Sequence, residues 1–168
     1  RGTEEETGGA ADILIGTLGK AFGVNGGYVV GAEAVIRYVR ERGPMYIYSN
    51  PITVGEAAAA QASINILTSS EGTELLAHLR DMTKRFESGL LDLGMETIPG
   101  PHPVVPLMVR DTGRTKAIVT ALHEAGILAT GLSFPVVPAG DEEIRFQVNA
   151  DHTPCDIDYV LEILGAQA

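Results

Sequence analysis

The run Gly16-Thr17-Leu18-Gly19-Lys20-Ala21-Phe22-Gly23 constrains this chain more than any other segment. It leaves a short apolar run, Ile13-Leu14-Ile15, and precedes another, Tyr28-Val29-Val30. Both runs, at residues 12–16 and 27–31, are bounded by glycine and suit interior strands better than helices. One lysine is therefore expected on a tight glycine loop between two buried strands. Leu18 and Phe22 beside it suggest a partly desolvated amine, and desolvation favours the uncharged form that condenses with a carbonyl. The plainer reading is a surface lysine in a turn.

The same outline, strand then glycine loop then Gly-Lys, belongs to nucleotide P-loops. The spacing excludes one. A P-loop needs four residues between its first glycine and Gly-Lys, then Ser or Thr for magnesium, whereas here only Thr17-Leu18 intervene and Ala21 follows. Thr17 can instead offer its hydroxyl to a phosphate while Lys20 faces a carbonyl held by the same anchor. That pairing suits pyridoxal phosphate.

At 168 residues and 45% apolar composition, the chain can bury a sizeable core in one or two small lobes. Its net charge of -10 speaks against nucleic-acid or membrane surfaces, which attract basic patches. Cys155 is the single cysteine, and His78, His102, His123 and His152 are far apart, so no disulfide and no metal cluster of conventional spacing is expected. No apolar segment approaches the ~20 residues that span a bilayer, and Arg1-Gly2-Thr3-Glu4-Glu5-Glu6 lacks a signal peptide's apolar core. A cytoplasmic protein is expected. With no initiator Met, the chain reads like a piece of something longer.

Residues 33–42 predict a helix with Val35, Ile36, Tyr38 and Val39 on its apolar stripe, stopped by a left-handed cap at Gly43 and by Pro44. After the apolar stretch 45–48, Ser49-Asn50-Pro51 turns the chain into an alanine-rich helix reaching Leu67. A longer helix carries Leu75, Leu79, Met82, Phe86, Leu90 and Leu93 at steps of three and four. From Gly94 short strands and helices alternate: strands at 104–109, 127–130 and 144–148, a helix at 116–124 closed by Gly126, and a last helix capped by Thr153 with Pro154 and Asp156. Residues 94–168 read as a small α+β lobe.

Two further candidates have plain readings of their own. Ser49-Asn50-Pro51 is a helix cap and turn on sequence physics alone; a hydroxyl, an amide and free N–H groups near a helix N-terminus also bind phosphate. Arg145 falls on the strand face opposite Ile144 and Phe146, where an exposed arginine is ordinary. Facing a cleft, its planar fork would grip a carboxylate. His152 reads as a local hydrogen-bonding residue beside the last helix cap.

Taken in order, Gly16-Thr17-Leu18-Gly19-Lys20-Ala21, Tyr48-Ser49-Asn50, Phe134-Pro135-Val136-Val137-Pro138 and Ile144-Arg145-Phe146-Gln147 through His152-Thr153 resemble the α-oxoamine synthases, fold-type I pyridoxal-phosphate enzymes. The likeness covers essentially the whole chain. The Phe-Pro-Val-Val-Pro segment and the Ile-Arg-x-Gln strand look more like the glycine C-acetyltransferase (2-amino-3-ketobutyrate CoA ligase) branch than the 8-amino-7-oxononanoate synthase, 5-aminolevulinate synthase or serine palmitoyltransferase branches. The loop at residues 22–27 is one residue shorter than that branch leads one to expect.

The resemblance implies an α/β chain: the C-terminal part of a large cofactor-binding domain over residues 1–66, then a linking helix and small α+β domain over 67–168. It implies Lys20 as the lysine that forms the Schiff base with pyridoxal 5'-phosphate and removes the α-proton. Thr17 would be a phosphate ligand, Ser49 and Asn50 phosphate ligands reached from the neighbouring subunit of a homodimer, and Arg145 the partner of the amino-acid carboxylate. The reaction implied condenses glycine, or another small amino acid, with an acyl-CoA. The aspartate for the pyridine nitrogen and the residues stacking on the ring would precede Arg1, so the chain alone is expected to be inactive. The alternatives are a non-catalytic structural or dimerisation fragment, or an activity like that of the 8-amino-7-oxononanoate synthases or the 5-aminolevulinate synthases in the full chain.

Overall fold

The computed structural model describes Glu4 and residues 7–167. Of the polar opening stretch, Arg1, Gly2, Thr3, Glu5 and Glu6 lie outside the described residues. The chain is mixed α/β and divides into two compact units, Arg1–Ser70 and Glu71–Ala168. Among the described residues, no helix is long and apolar enough to cross a membrane.

In the first unit, β1 (Ile13–Thr17) and β2 (Gly27–Gly31) pair antiparallel, with Gly16 opposite Tyr28 and Thr17 opposite Gly27. Helices α1 (Glu33–Arg42), α2 (Pro44–Tyr48) and α3 (Val54–Leu67) follow. The strands fall where the glycine-bounded runs predict, but they are not interior: Ile15 is 76% and Val30 55% exposed. A sheet of two strands offers its side chains few neighbours, and Leu18 and Ala60 are the unit's buried apolar residues among those described.

Two local expectations change here. Gly43 does not close α1 in the left-handed region; its φ is -75°, and it also precedes the first turn of α2. Glycine is needed there for space, because its N–H donates to Val39 O and a Cβ would lie 2.6 Å from that oxygen. The stretch 45–48 is correspondingly helical. Helix α3 is capped by Thr53, not by Ser49 or Asn50: Thr53 Oγ1 accepts from Glu56 N–H while Glu56 accepts from Thr53 N–H, a reciprocal capping box.

The second unit holds the core. Helix α4 (Ser70–Asp92), β3 (Glu96–Thr97), β4 (Val104–Met108), α5 (Thr112–Glu124), β5 (Thr130–Leu132), β6 (Glu143–Gln147) and α6 (Pro154–Gly165) succeed one another. The strands form an antiparallel sheet in the order β3-β4-β6-β5. Alternation along β4 and β6 sends Val105, Leu107, Ile144 and Phe146 to one face, where they join Met82, Phe86 and Leu90 of α4, Ile118 and Leu122 of α5, and Ile157 and Leu164 of α6. Phe86 and Phe146 meet edge to face with ring centroids 5.0 Å apart.

Helix α5 ends as the glycine signal predicts. Gly126 takes φ +78°, its N–H donates to His123 O, and Ile127 N–H donates to Leu122 O, closing a Schellman cap. That commitment moves the next strand: it covers Thr130–Leu132 rather than 127–130, because the Ile127 amide belongs to the helix. Thr153, Pro154 and Asp156 form the expected capping box of α6.

Candidate active site

Thr17 ends β1 and the chain loops through residues 18–26 before β2 begins. Three backbone bonds close this loop on itself: Leu18 N–H to Gly26 O at 2.9 Å, Val24 N–H to Leu18 O at 3.0 Å, and Gly23 N–H to Lys20 O at 2.9 Å. Gly23 and Gly26 take φ of +67° and +102°, so glycine is required at both. Leu18 turns inward at 6% exposure and pins the loop, which leaves Lys20 two residues on at the surface.

Lys20 is exposed, and its amine has no ion-pair or hydrogen-bond partner among the described residues. The expected partial desolvation is therefore not met within this unit, where Leu18 is buried and Lys20 exposed. Thr17 Oγ1 accepts from Gly19 N–H at 3.2 Å, which orients the hydroxyl on the same loop and leaves its proton free to donate.

The loop is tied to α3. Asn25 Nδ2 donates to Glu56 Oε1 at 2.9 Å, and Ser63 Oγ donates to Phe22 O at 3.4 Å. Glu56 Oε2 takes the Thr53 N–H at 2.8 Å. The Thr53 amide first, and then the Asn25 amide, hold the Glu56 carboxyl below its ordinary range. The pattern Thr-x-x-Glu at 53–56 is legible in the sequence as a capping box; Asn25 as its third member is not, because nothing local marks a partner 31 residues away.

Ser49 closes α2 in extended backbone, and Asn50 and Pro51 follow without regular structure. Both side chains are exposed and hydrogen-bond no other described residue. Thr17 and Lys20 on one loop, and Ser49 and Asn50 on a separate segment, offer two hydroxyls, an amide and an unpaired amine, donors of the kind that a phosphate ester bearing an aldehyde takes, and none of the four is an anion.

Arg145 lies in the second unit, opposite Pro106 on β4 and Thr130 on β5. Its face is the one predicted: Ile144 and Phe146 are buried and Arg145 is not. One guanidinium nitrogen, Nη2, pairs with Glu143 Oε1 at 2.8 Å; the others have no partner among the described residues. The Arg145 side chain is 51% exposed although that of Glu143 is 13%, and the guanidinium nitrogens left over from this single contact can meet an incoming carboxylate. His152 serves locally: its Nδ1 accepts from Asn149 N–H, and its carbonyl accepts from His78 Nε2 at 2.8 Å. Among the described residues no cluster of His, Cys, Asp and Glu could hold a metal ion.

A family model described as aminotransferase class I and II matches residues 3–164. An 8-amino-7-oxononanoate synthase of Marinobacter nauticus is 37% identical over 153 residues, which is 91% of this chain and 38% of that protein. One from Thermosipho melanesiensis is 36% identical over 154 residues, 92% of this chain and 39% of that protein. Among solved structures, SPT with its PLP internal aldimine superposes with a TM-score of 0.92 at 27% identity, over 99% of this chain and 42% of that one. Serine palmitoyltransferase of Sphingomonas wittichii gives 0.91 at 25% identity, with the same coverage of both chains. The chain spans less than half the length of each of these proteins.

Proposed function

Since this chain belongs to the aminotransferase class I and II family, we propose that it supplies the lysine of a pyridoxal-phosphate acyltransferase that joins a small amino acid to an acyl thioester. The observation that carries this reading is the Lys20 loop, an unpaired amine on a self-closed glycine turn with the Thr17 hydroxyl beside it. The oxononanoate synthases at 36–37% identity favour that branch over the glycine C-acetyltransferase expected from the Phe-Pro-Val-Val-Pro segment.

Bound pyridoxal phosphate supplies an aldehyde that condenses with amines and a conjugated ring that accepts the electron pair released at the amino acid's Cα. Lys20 Nζ would hold that aldehyde and, with an amino acid bound at the site, would serve as general base for the Cα proton. Thr17 Oγ1 donates to the phosphate. Ser49 Oγ and Asn50 Nδ2 donate to the phosphate bound in a second copy of the chain, so the site is shared in a homodimer. Arg145 holds the amino-acid carboxylate and fixes which bond at Cα stands ready to break. With the electron pair so stabilised, Cα would replace the thiol at the acyl carbonyl, the free thiol leaving as co-product.

Thiol release from an acyl-CoA in the presence of small amino acids tests the reading in the purified native protein. Lys20→Ala is expected to lower kcat at least ~1000-fold, and Arg145→Ala to raise KM for the amino acid about 10- to 100-fold. Undiminished release from Lys20→Ala would end the proposal.

A second reading has its own support. Met45, Tyr48 and Val54 are 82%, 87% and 88% exposed, as befits surfaces that another element covers. On this reading the chain by itself is a structural or dimerisation element without turnover, and pyridoxal phosphate added to it gives an absorbance that no amino acid perturbs.

A further inference from the structure

We propose that Asn25 and Glu56 are positioning residues for Lys20, joined in a clamp that fixes the lysine loop to the first turn of α3; the inference rests on the reading of Lys20 given above. The three backbone bonds within residues 18–26 close the loop but do not orient it against the rest of the unit. Buried Leu18 anchors the start of the loop, while the glycines at 19, 23, 26 and 27 leave the stretch beyond it room to pivot. Two side-chain bonds oppose that freedom, and the Ser63 contact, at 3.4 Å, is at the limit of a hydrogen bond. Asn25 to Glu56 at 2.9 Å is the firm one.

An ordinary capping box uses one carboxylate oxygen. Here Oε2 does that work on Thr53 N–H, so the side chain is already immobile when Oε1 receives Asn25. The bond is charge-assisted, and ordering it costs little further side-chain entropy. Residues 49–53 run into the same turn of α3, so one carboxylate connects the Lys20 loop with the segment of Ser49 and Asn50.

The clamp can be separated from a mere helix cap. Amide exchange over residues 18–26, and the rate at which borohydride traps pyridoxal phosphate on Lys20, are measured in the native protein and in Asn25→Ala, Glu56→Ala, Glu56→Gln and Thr53→Ala. Asn25→Ala and Glu56→Ala are expected to speed loop exchange about tenfold and to slow trapping by a similar factor. Thr53→Ala, which weakens the cap but leaves the Asn25 contact, should leave the loop as it was. Glu56→Gln keeps one acceptor oxygen where the carboxylate supplies two and loses the charge, so it should recover only part of the protection. Loop exchange within about twofold of the native protein in Asn25→Ala, or a loop loosened as much by Thr53→Ala, would overturn the clamp, even with trapping on Lys20 intact. Trapping on a different lysine would overturn both the clamp's purpose and the function it serves.

Discussion

Val105, Leu107, Ile144 and Phe146 in the second unit alternate along two strands and are 6% exposed or less, under three helices. In the first unit Ile13, Ile15, Tyr28 and Val30 stand on two paired strands with comparable apolar content, yet each is more than 40% exposed. The difference is in what each sheet is given to pack against. An apolar run records the environment that suits its residues, not whether a facing element is packed on it.

Point substitutions should separate the two units by energy. Leu90→Ala, which empties a fully buried position, is expected to destabilise the second unit by about 3 kcal/mol or more in denaturant unfolding. Ile15→Ala in the first unit should change stability by less than about 0.5 kcal/mol in this chain alone. Equal effects at the two positions would break the comparison. Next in size is Gly89→Ala, because Leu161 of α6 lies against Gly89 of α4 where a Cβ would go; overpacking there should cost about 1–3 kcal/mol. Removing the α6 cap with Thr153→Ala should cost about 1 kcal/mol, read as a lower melting temperature with the core otherwise intact.

Acid acts on the carboxylates of caps and ion pairs. Thr153, through its amide and then its hydroxyl, holds the Asp156 carboxyl below its ordinary range, and Arg85 does the same for Asp158. A carboxylate with a depressed folded pKa stabilises above its unfolded value and stops doing so as pH falls through the folded one. The melting temperature of the second unit should therefore hold from pH 7 to about 4 and fall below that. Glu56 gives the first unit the same sign. A melting temperature that rises on acidification would reverse the account.

Much of the second unit is legible in the sequence because its determinants are local. The three-and-four spacing of Met82, Phe86 and Leu90, the glycine at 126 and the Thr-Pro-x-Asp start of α6 each act within one or two turns. Two local signals serve a neighbour instead: Ile127 closes a helix rather than opening a strand, and Gly43 is small for Val39 O rather than left-handed. At the site, the loop itself could be read from its glycines. Its exposure could not, because apolar neighbours such as Leu18 and Phe22 look the same in sequence beside a covered lysine and beside an exposed one. The Asn25–Glu56 bond was hidden for a related reason, since its members share no local motif.

The central claim is that Lys20, and no other lysine, carries the cofactor. Reduction of the native protein with borohydride in the presence of pyridoxal phosphate, followed by peptide mapping, tests it directly. A stoichiometric pyridoxyl group on the peptide containing Lys20, absent after Lys20→Ala, is the predicted result. A group on Lys84 or Lys116, or none at all, would contradict it.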